Sequence, residues 1–169
     1  YILSVLIIVL YFAYVGQAWN LMLGFAGLLS LGHALFVGIG AYASASLFVH
    51  FGVPPVIGVF VAVTLAVAMG CLIGYLGFRF SIRGVYFALL TIAFAEFTLV
   101  IVDHVEWLGS TGGLLLPVAN RDRLDLLNLR GAQEMFYYVI LFLTAAALVL
   151  CRLLLNSKLG LYWQAIRED

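Results

Sequence analysis

Few side chains in this sequence could do chemistry, and they stand far apart. Ser30 and His33 are three positions apart, which on a helix makes them neighbours. A serine beside a histidine is the smallest nucleophilic pair, but no third group orients the imidazole and no oxyanion-hole pattern is visible. A hydrogen bond between helices is the simpler role for both. Glu96 lies near the middle of a long apolar run. A carboxylate at the centre of a bilayer costs about 2.5–3.5 kcal/mol on insertion scales, so it is expected to face protein or water. It could join two helices, carry a coupling proton or line a translocation path. Gly109, Ser110, Thr111, Gly112 and Gly113 make a glycine-rich loop. No strand precedes it and no lysine follows at P-loop spacing, which argues against a nucleotide site. Cys71 and Cys151 each sit in an apolar run without a Cys-x-x-Cys or Cys/His cluster, and read as small buried hydrophobes. His50 and His104 fall at the ends of apolar runs, and no metal-ligand spacing joins the three histidines. No catalytic residue, metal or cofactor is expected in this chain.

The elements that must position these groups follow from an absence of charge. From Tyr1 to Phe78 there is no Asp, Glu, Lys or Arg, and the first charged residue is Arg79. The whole chain is 66% hydrophobic and 9% charged, with mean hydropathy +1.18, where a soluble domain carries about a quarter charged residues. A soluble fold would have too little charged surface to stay dissolved. Lipid is the solvent that fits, and the net charge of zero gives no reason to expect a nucleic-acid partner. The expected fold is an all-α polytopic membrane protein with about five transmembrane helices, over residues 1–19, 34–49, 54–78, 84–102 and 135–155. β-Barrel strands are excluded, because these runs lack period-two alternation and exceed the roughly 9–11 residues that a tilted strand needs.

Between the first two runs, Asn20 to His33 is apolar but broken by Gly24, Gly27 and Gly32. It is expected to be a kinked continuation or a re-entrant turn, tolerated at membrane depth only where protein or a water-filled cavity satisfies its backbone. Pro54 and Pro55 mark the next helix start. The third run carries a small residue at every fourth position, Gly58, Ala62, Ala66, Gly70 and Gly74. Such a row lets another helix approach closely, which drives association in lipid. Arg79 and Arg83 share a short connection, and Arg152, Lys158 and Arg167 gather at the other end, whereas the arginines of 103–134 are spread thinly. By the positive-inside rule the two dense clusters are cytoplasmic and 103–134 faces outward, with Trp107, Phe136, Tyr137 and Tyr138 at the outer interface. In Ser157–Asp169, Leu159, Tyr162, Trp163 and Ile166 recur at helical spacing and predict a short amphipathic helix, either in the lipid interface or against a cytosolic partner. The chain starts at Tyr1 without a basic segment and stops at Arg167-Glu168-Asp169, so it is expected to be a piece of a longer protein.

Three stretches together resemble one family. Asn20-Leu-Met-Leu-Gly-Phe-Ala-Gly-Leu-Leu-Ser-Leu-Gly-His-Ala-Leu-Phe with Gly38-Ile-Gly-Ala-Tyr is similar to the N-terminal signature of the M-type permease subunit of branched-chain amino acid ABC importers. Arg83-Gly-Val-Tyr-Phe-Ala-Leu-Leu-Thr-Ile-Ala-Phe-Ala-Glu96, with Thr111-Gly112-Gly113, resembles the central block of that family. Ser157-x-x-Gly160-x-x-x-x-Ala165-Ile166-Arg167-Glu168 resembles its cytoplasmic loop. The resemblance implies a partial permease domain over 1–169, truncated at both ends, with 156–169 opening the loop that couples to the ATPase through Gly160, Trp163, Ala165, Ile166, Arg167 and Glu168. It places Asn20, Gly24, Gly27, Ser30, Gly32, His33, Glu96, Thr111, Gly112 and Gly113 in the translocation region. It implies a second related permease subunit, two cytoplasmic ATPases that hydrolyse the ATP, an extracytoplasmic substrate-binding protein and a bacterial inner-membrane location. The permease itself would be no enzyme, and would move leucine, isoleucine or valine by alternating access. A urea or amide importer of the same family is the nearest alternative, and an intramembrane enzyme using Ser30, His33 or Glu96 is the alternative from another class. After Gly113 the chain reads Leu-Leu-Leu-Pro, where many relatives carry a polar, glycine-containing continuation.

Overall fold

The computed structural model describes residues 1–25, 27–116, 132–158 and 160. Trp163, Ala165, Ile166, Arg167 and Glu168 lie outside the described residues, as does most of the expected amphipathic stretch. The described chain is helical and without strands: α1 (Ile2–Asn20), α2 (His33–Phe51), α3 (Pro55–Arg79), α4 (Val85–His104) and α5 (Gln133–Leu155). Each is long and apolar enough to cross a membrane. All five expected segments are present, with ends shifted by no more than two residues. In lipid a helix satisfies every backbone group within its own segment, so apolar runs of this length have no cheaper conformation. The stops are local. Gly52, at φ +63, ends α2, and its N–H and that of Val53 take up the carbonyls of Phe48 and Leu47. Pro54 caps α3, with Pro55 at its first position.

Two compact units form, Tyr1–Ser30 with Gly131–Asp169, and Leu31–Arg130. In the second, α2, α3 and α4 run alternately up and down through short connections. Residue 58 of α3 meets residue 44 of α2, and residue 70 meets Phe36, so the two helices are antiparallel. A Cβ on Gly58 would come within 3.3 Å of the Ser44 Cα, a tight approach that α2 would have to yield to by a few tenths of an ångström. Ala62 is buried as well. The row of small residues does not stay in the seam, however. Four residues turn a helix by about 400°, so the row creeps roughly 40° per step. Ala66 and Gly70 are half-buried, and nothing lies within 4 Å of a Cβ placed on Gly74. The close contact passes instead to Ile73 and to Gly77, over which the Phe87 ring of α4 lies.

The first unit pairs α1 with α5. The Gln133 amide donates to the Ser4 hydroxyl, and Thr144 reaches the Leu10 carbonyl at 3.3 Å. Both partners advance together along the chain, so these helices are parallel. Their seam is thin: α1 has no buried residue and α5 has only Thr144. The Thr144 hydroxyl also lies 2.7 Å from its own helix's Ile140 carbonyl. A hydroxyl has one hydrogen, so it serves Ile140 first. Beyond α5, the Gly160 N–H donates to the Ser157 carbonyl, and Gly160 is buried against the carbonyls of Leu154 and Leu155, where no side chain would fit. The two cysteines are free, but Cys71 is exposed and Cys151 half-buried, against the expectation that both are buried. In a lipid-facing helix a small apolar thiol gains nothing from being inside.

Candidate functional site

The broken stretch between α1 and α2 begins as a continuation of α1: it runs on through one π-helical turn, Leu21–Phe25, and then leaves helical geometry. Gly24 leaves the space that the Asn20 amide fills, since a Cβ there would strike Asn20 Oδ1. Gly27 at φ +67 turns the chain out, and the Leu28 N–H returns to the Met22 carbonyl at 3.1 Å. Trp19 Nε1 donates to the Ser30 carbonyl at 2.7 Å, which fastens this half of the stretch.

The second half is held by Thr91 of α4. Thr91 Oγ1 accepts from the N–H groups of Leu31 and Gly32 at 3.2 and 3.3 Å, and donates to the Ala88 carbonyl at 2.8 Å. One donor and two acceptor sites are thereby all used. Gly32 sits directly on the Thr91 carbonyl, so close that a Cβ would collide with it. Thr91 is the seventh residue of α4, which at 1.5 Å per residue puts this non-helical backbone about 9 Å inside the helix start. Unpaired N–H groups at such a depth would be costly, and the threonine removes that cost. A hydroxyl within an otherwise apolar helix was the available signal.

Ser30 and His33 do not form the expected bonds. Ser30 is fully buried, and neither its Oγ nor His33 Nδ1 has a hydrogen-bond partner. The His33 ring instead meets the edge of Phe36, with centroids 6.0 Å apart.

Glu96 is exposed, not enclosed between the described helices, and stands on the wall of an open groove of about 460 Å³ lined by α2, α4, Leu65 of α3 and the turn at Trp107. The space next to Thr91 is taken by Leu31 and Gly32. The groove is lined as well by Ala34, Gly38 and Tyr42, one row of α2, with Leu35, Ile39 and Leu99 as apolar walls. No hydrogen bond or ion pair joins Glu96 to any described residue.

At the far end of the same unit, the His50 ring stacks on Trp107 with centroids 4.6 Å apart, and its Nε2 lies 2.7 Å from the Trp107 carbonyl. His50 and His104 are thus at helix ends, as expected. The glycine loop closes on itself: Gly109 (φ +90) lies against the Gly113 backbone, Gly113 has φ +70, and the Ser110 hydroxyl donates to the Asp103 carbonyl. Thr111 and Gly112 belong to the short turn Ser110–Gly112, and nothing lies within 4 Å of a Cβ on Gly112.

Five membrane-length helices, with polar backbone at depth satisfied by one hydroxyl, define a multi-pass α-helical membrane protein. The model of the branched-chain amino acid transport system permease component family matches residues 1–169, and the chain belongs to that family. It is 29% identical over 175 residues to the high-affinity branched-chain amino acid transport system permease protein LivM of Escherichia coli K12, covering 91% of this chain and 41% of that protein. The LivM protein of Salmonella typhimurium LT2 is likewise 29% identical, over 179 residues, with the same coverage. The chain therefore spans 41% of the length of these curated relatives. No solved structure is matched.

Proposed function

We propose that this chain is part of the transmembrane permease of an ATP-driven importer of branched-chain amino acids in a bacterial inner membrane. The family match along the whole chain carries this reading. The permease forms the passage by alternating access and catalyses no covalent step. A second related permease subunit, two cytoplasmic ATPases and an extracytoplasmic binding protein complete the machine. The charge pattern supports the orientation: Arg79 and Arg83 lie at one end of the three-helix unit, and His50, His104 and Trp107 at the other. In the two-helix unit, Arg152 and Lys158 lie at the end to which both parallel helices run.

The segment after α5 would then meet the ATPase. Gly160 has a structural task of its own at the end of α5, so Ala165 is the cleaner position for testing coupling. In cells lacking their own branched-chain uptake, the full-length protein with its partner subunits should restore accumulation of radiolabelled leucine. Ala165→Trp should abolish that uptake while assembly and ATP hydrolysis persist. Uptake of urea or a short amide in place of leucine would move the protein to the other branch of the family, and no uptake of either would overturn the reading.

A further inference from the structure

We infer that the Glu96 groove is where the transported molecule is held within this subunit, as a small zwitterion whose ammonium group faces Glu96 and whose aliphatic side chain lies on Leu35, Ile39 and Leu99. The inference rests on the transport reading above and adds to it a site within this subunit. Glu96 is the twelfth of the twenty residues of α4, at mid-helix, and it is exposed there. A carboxylate at that depth, without a partner among the described residues, calls for water or a polar guest. The groove has open space beside α2, since nothing lies within 4 Å of a Cβ on the lining residue Gly38. The groove's 460 Å³ falls in the range of roughly 300–1,000 Å³ typical of small-molecule sites.

The lining decides the guest. Glu96 is its single charged side chain, with no Lys or Arg beside it, so an ammonium group is favoured and a bare anion repelled. Its hydroxyls are those of Tyr42, Ser46 and Thr98. Ser46 already donates to the Ala43 carbonyl, and the Thr98 Oγ1 is buried without a partner, which leaves Tyr42 to meet the guest's carboxylate. The remaining surface is apolar, aliphatic side chains with Trp107, which suits a branched hydrocarbon side chain and offers little to a polar one. One charged contact is also appropriate to a carrier, because a site on a pathway must release what it holds.

The test uses the full-length protein with its partner subunits in proteoliposomes, in a background free of native cysteines. Gly38→Cys should react with a membrane-impermeant cationic thiosulfonate, and saturating leucine should slow that reaction. Hydrogen bonds to charged groups contribute about 1.5–3 kcal/mol, so Glu96→Gln should lower leucine uptake about tenfold or more and remove the leucine protection, while assembly and ATP hydrolysis stay intact. Normal uptake by Glu96→Gln overturns the assignment, as does an inert Gly38→Cys. Failure of Glu96→Gln to assemble would also overturn it, because another helix would then fill the groove. Each of these leaves the transport reading standing if the parental complex moves leucine. A parental complex that moves no aliphatic amino acid overturns both.

Discussion

The two units hold their helices together in different ways. In the three-helix unit, neighbours in sequence are neighbours in space, joined by connections of a few residues, and the contacts are close: Gly58 on Ser44, Gly77 under Phe87, Gly32 on Thr91. Its polar hub, Thr91, has every hydrogen-bonding site occupied. In the two-helix unit, α1 and α5 come together across more than a hundred residues of chain, run parallel, and share one surface hydrogen bond and one divided hydroxyl. A short loop costs little entropy to close, so close packing can follow at once. A distant parallel pair has no such help and relies on what surrounds it. The three-helix unit is therefore expected to be rigid by itself, and the two-helix unit to be the more easily displaced.

The comparison breaks first, if it breaks, at Thr91. Thr91→Val keeps the shape but strands two N–H groups at membrane depth, each costing about 1–3 kcal/mol. The variant should show the largest fall in thermal stability of the purified protein, and Thr91→Ser should restore most of it. Unchanged stability in Thr91→Val would mean that the linker is held by something else. Next comes the seam between α2 and α3. Gly58→Leu should cost about 1–3 kcal/mol through overpacking against Ser44, read as a lower melting temperature and a reduced yield of folded protein. Gly74→Ala, in the same four-residue row but out of the seam, should be neutral. Equal losses at both positions would restore the row as a continuous interface. The smallest effect belongs to the parallel pair. Thr144→Val should cost only about 0.6 kcal/mol, the average for an interhelical hydrogen bond in a membrane. A loss as large as that of Thr91→Val would show that the two units are not so different after all.

How much of this was legible beforehand varies with the range of the interaction. Helix ends were readable because Gly52, Pro54 and Pro55 act on their own neighbours. The break after Asn20 was readable from its glycines, though the π turn that opens it was not, since it depends on the Asn20 amide covering Gly24. The fourfold row of small residues was visible, but its drift around the helix misassigned its lower end, where Gly77 replaces Gly74. Ser30 and His33 drew attention as polar residues in apolar sequence, while the residue that organises the region, Thr91, looked like any small side chain.

The sequence alone determined that this is a membrane protein and where each span lies. In lipid every backbone group must be paired within a helix, so an uncharged run from Tyr1 to Phe78 leaves no other solution. Tertiary structure alone decided which helices touch, that α1 and α5 run parallel, and that Glu96 opens onto a groove. Those outcomes depend on which faces meet across long stretches of chain, and a helix that is apolar all round carries no mark of the face it will present to a neighbour.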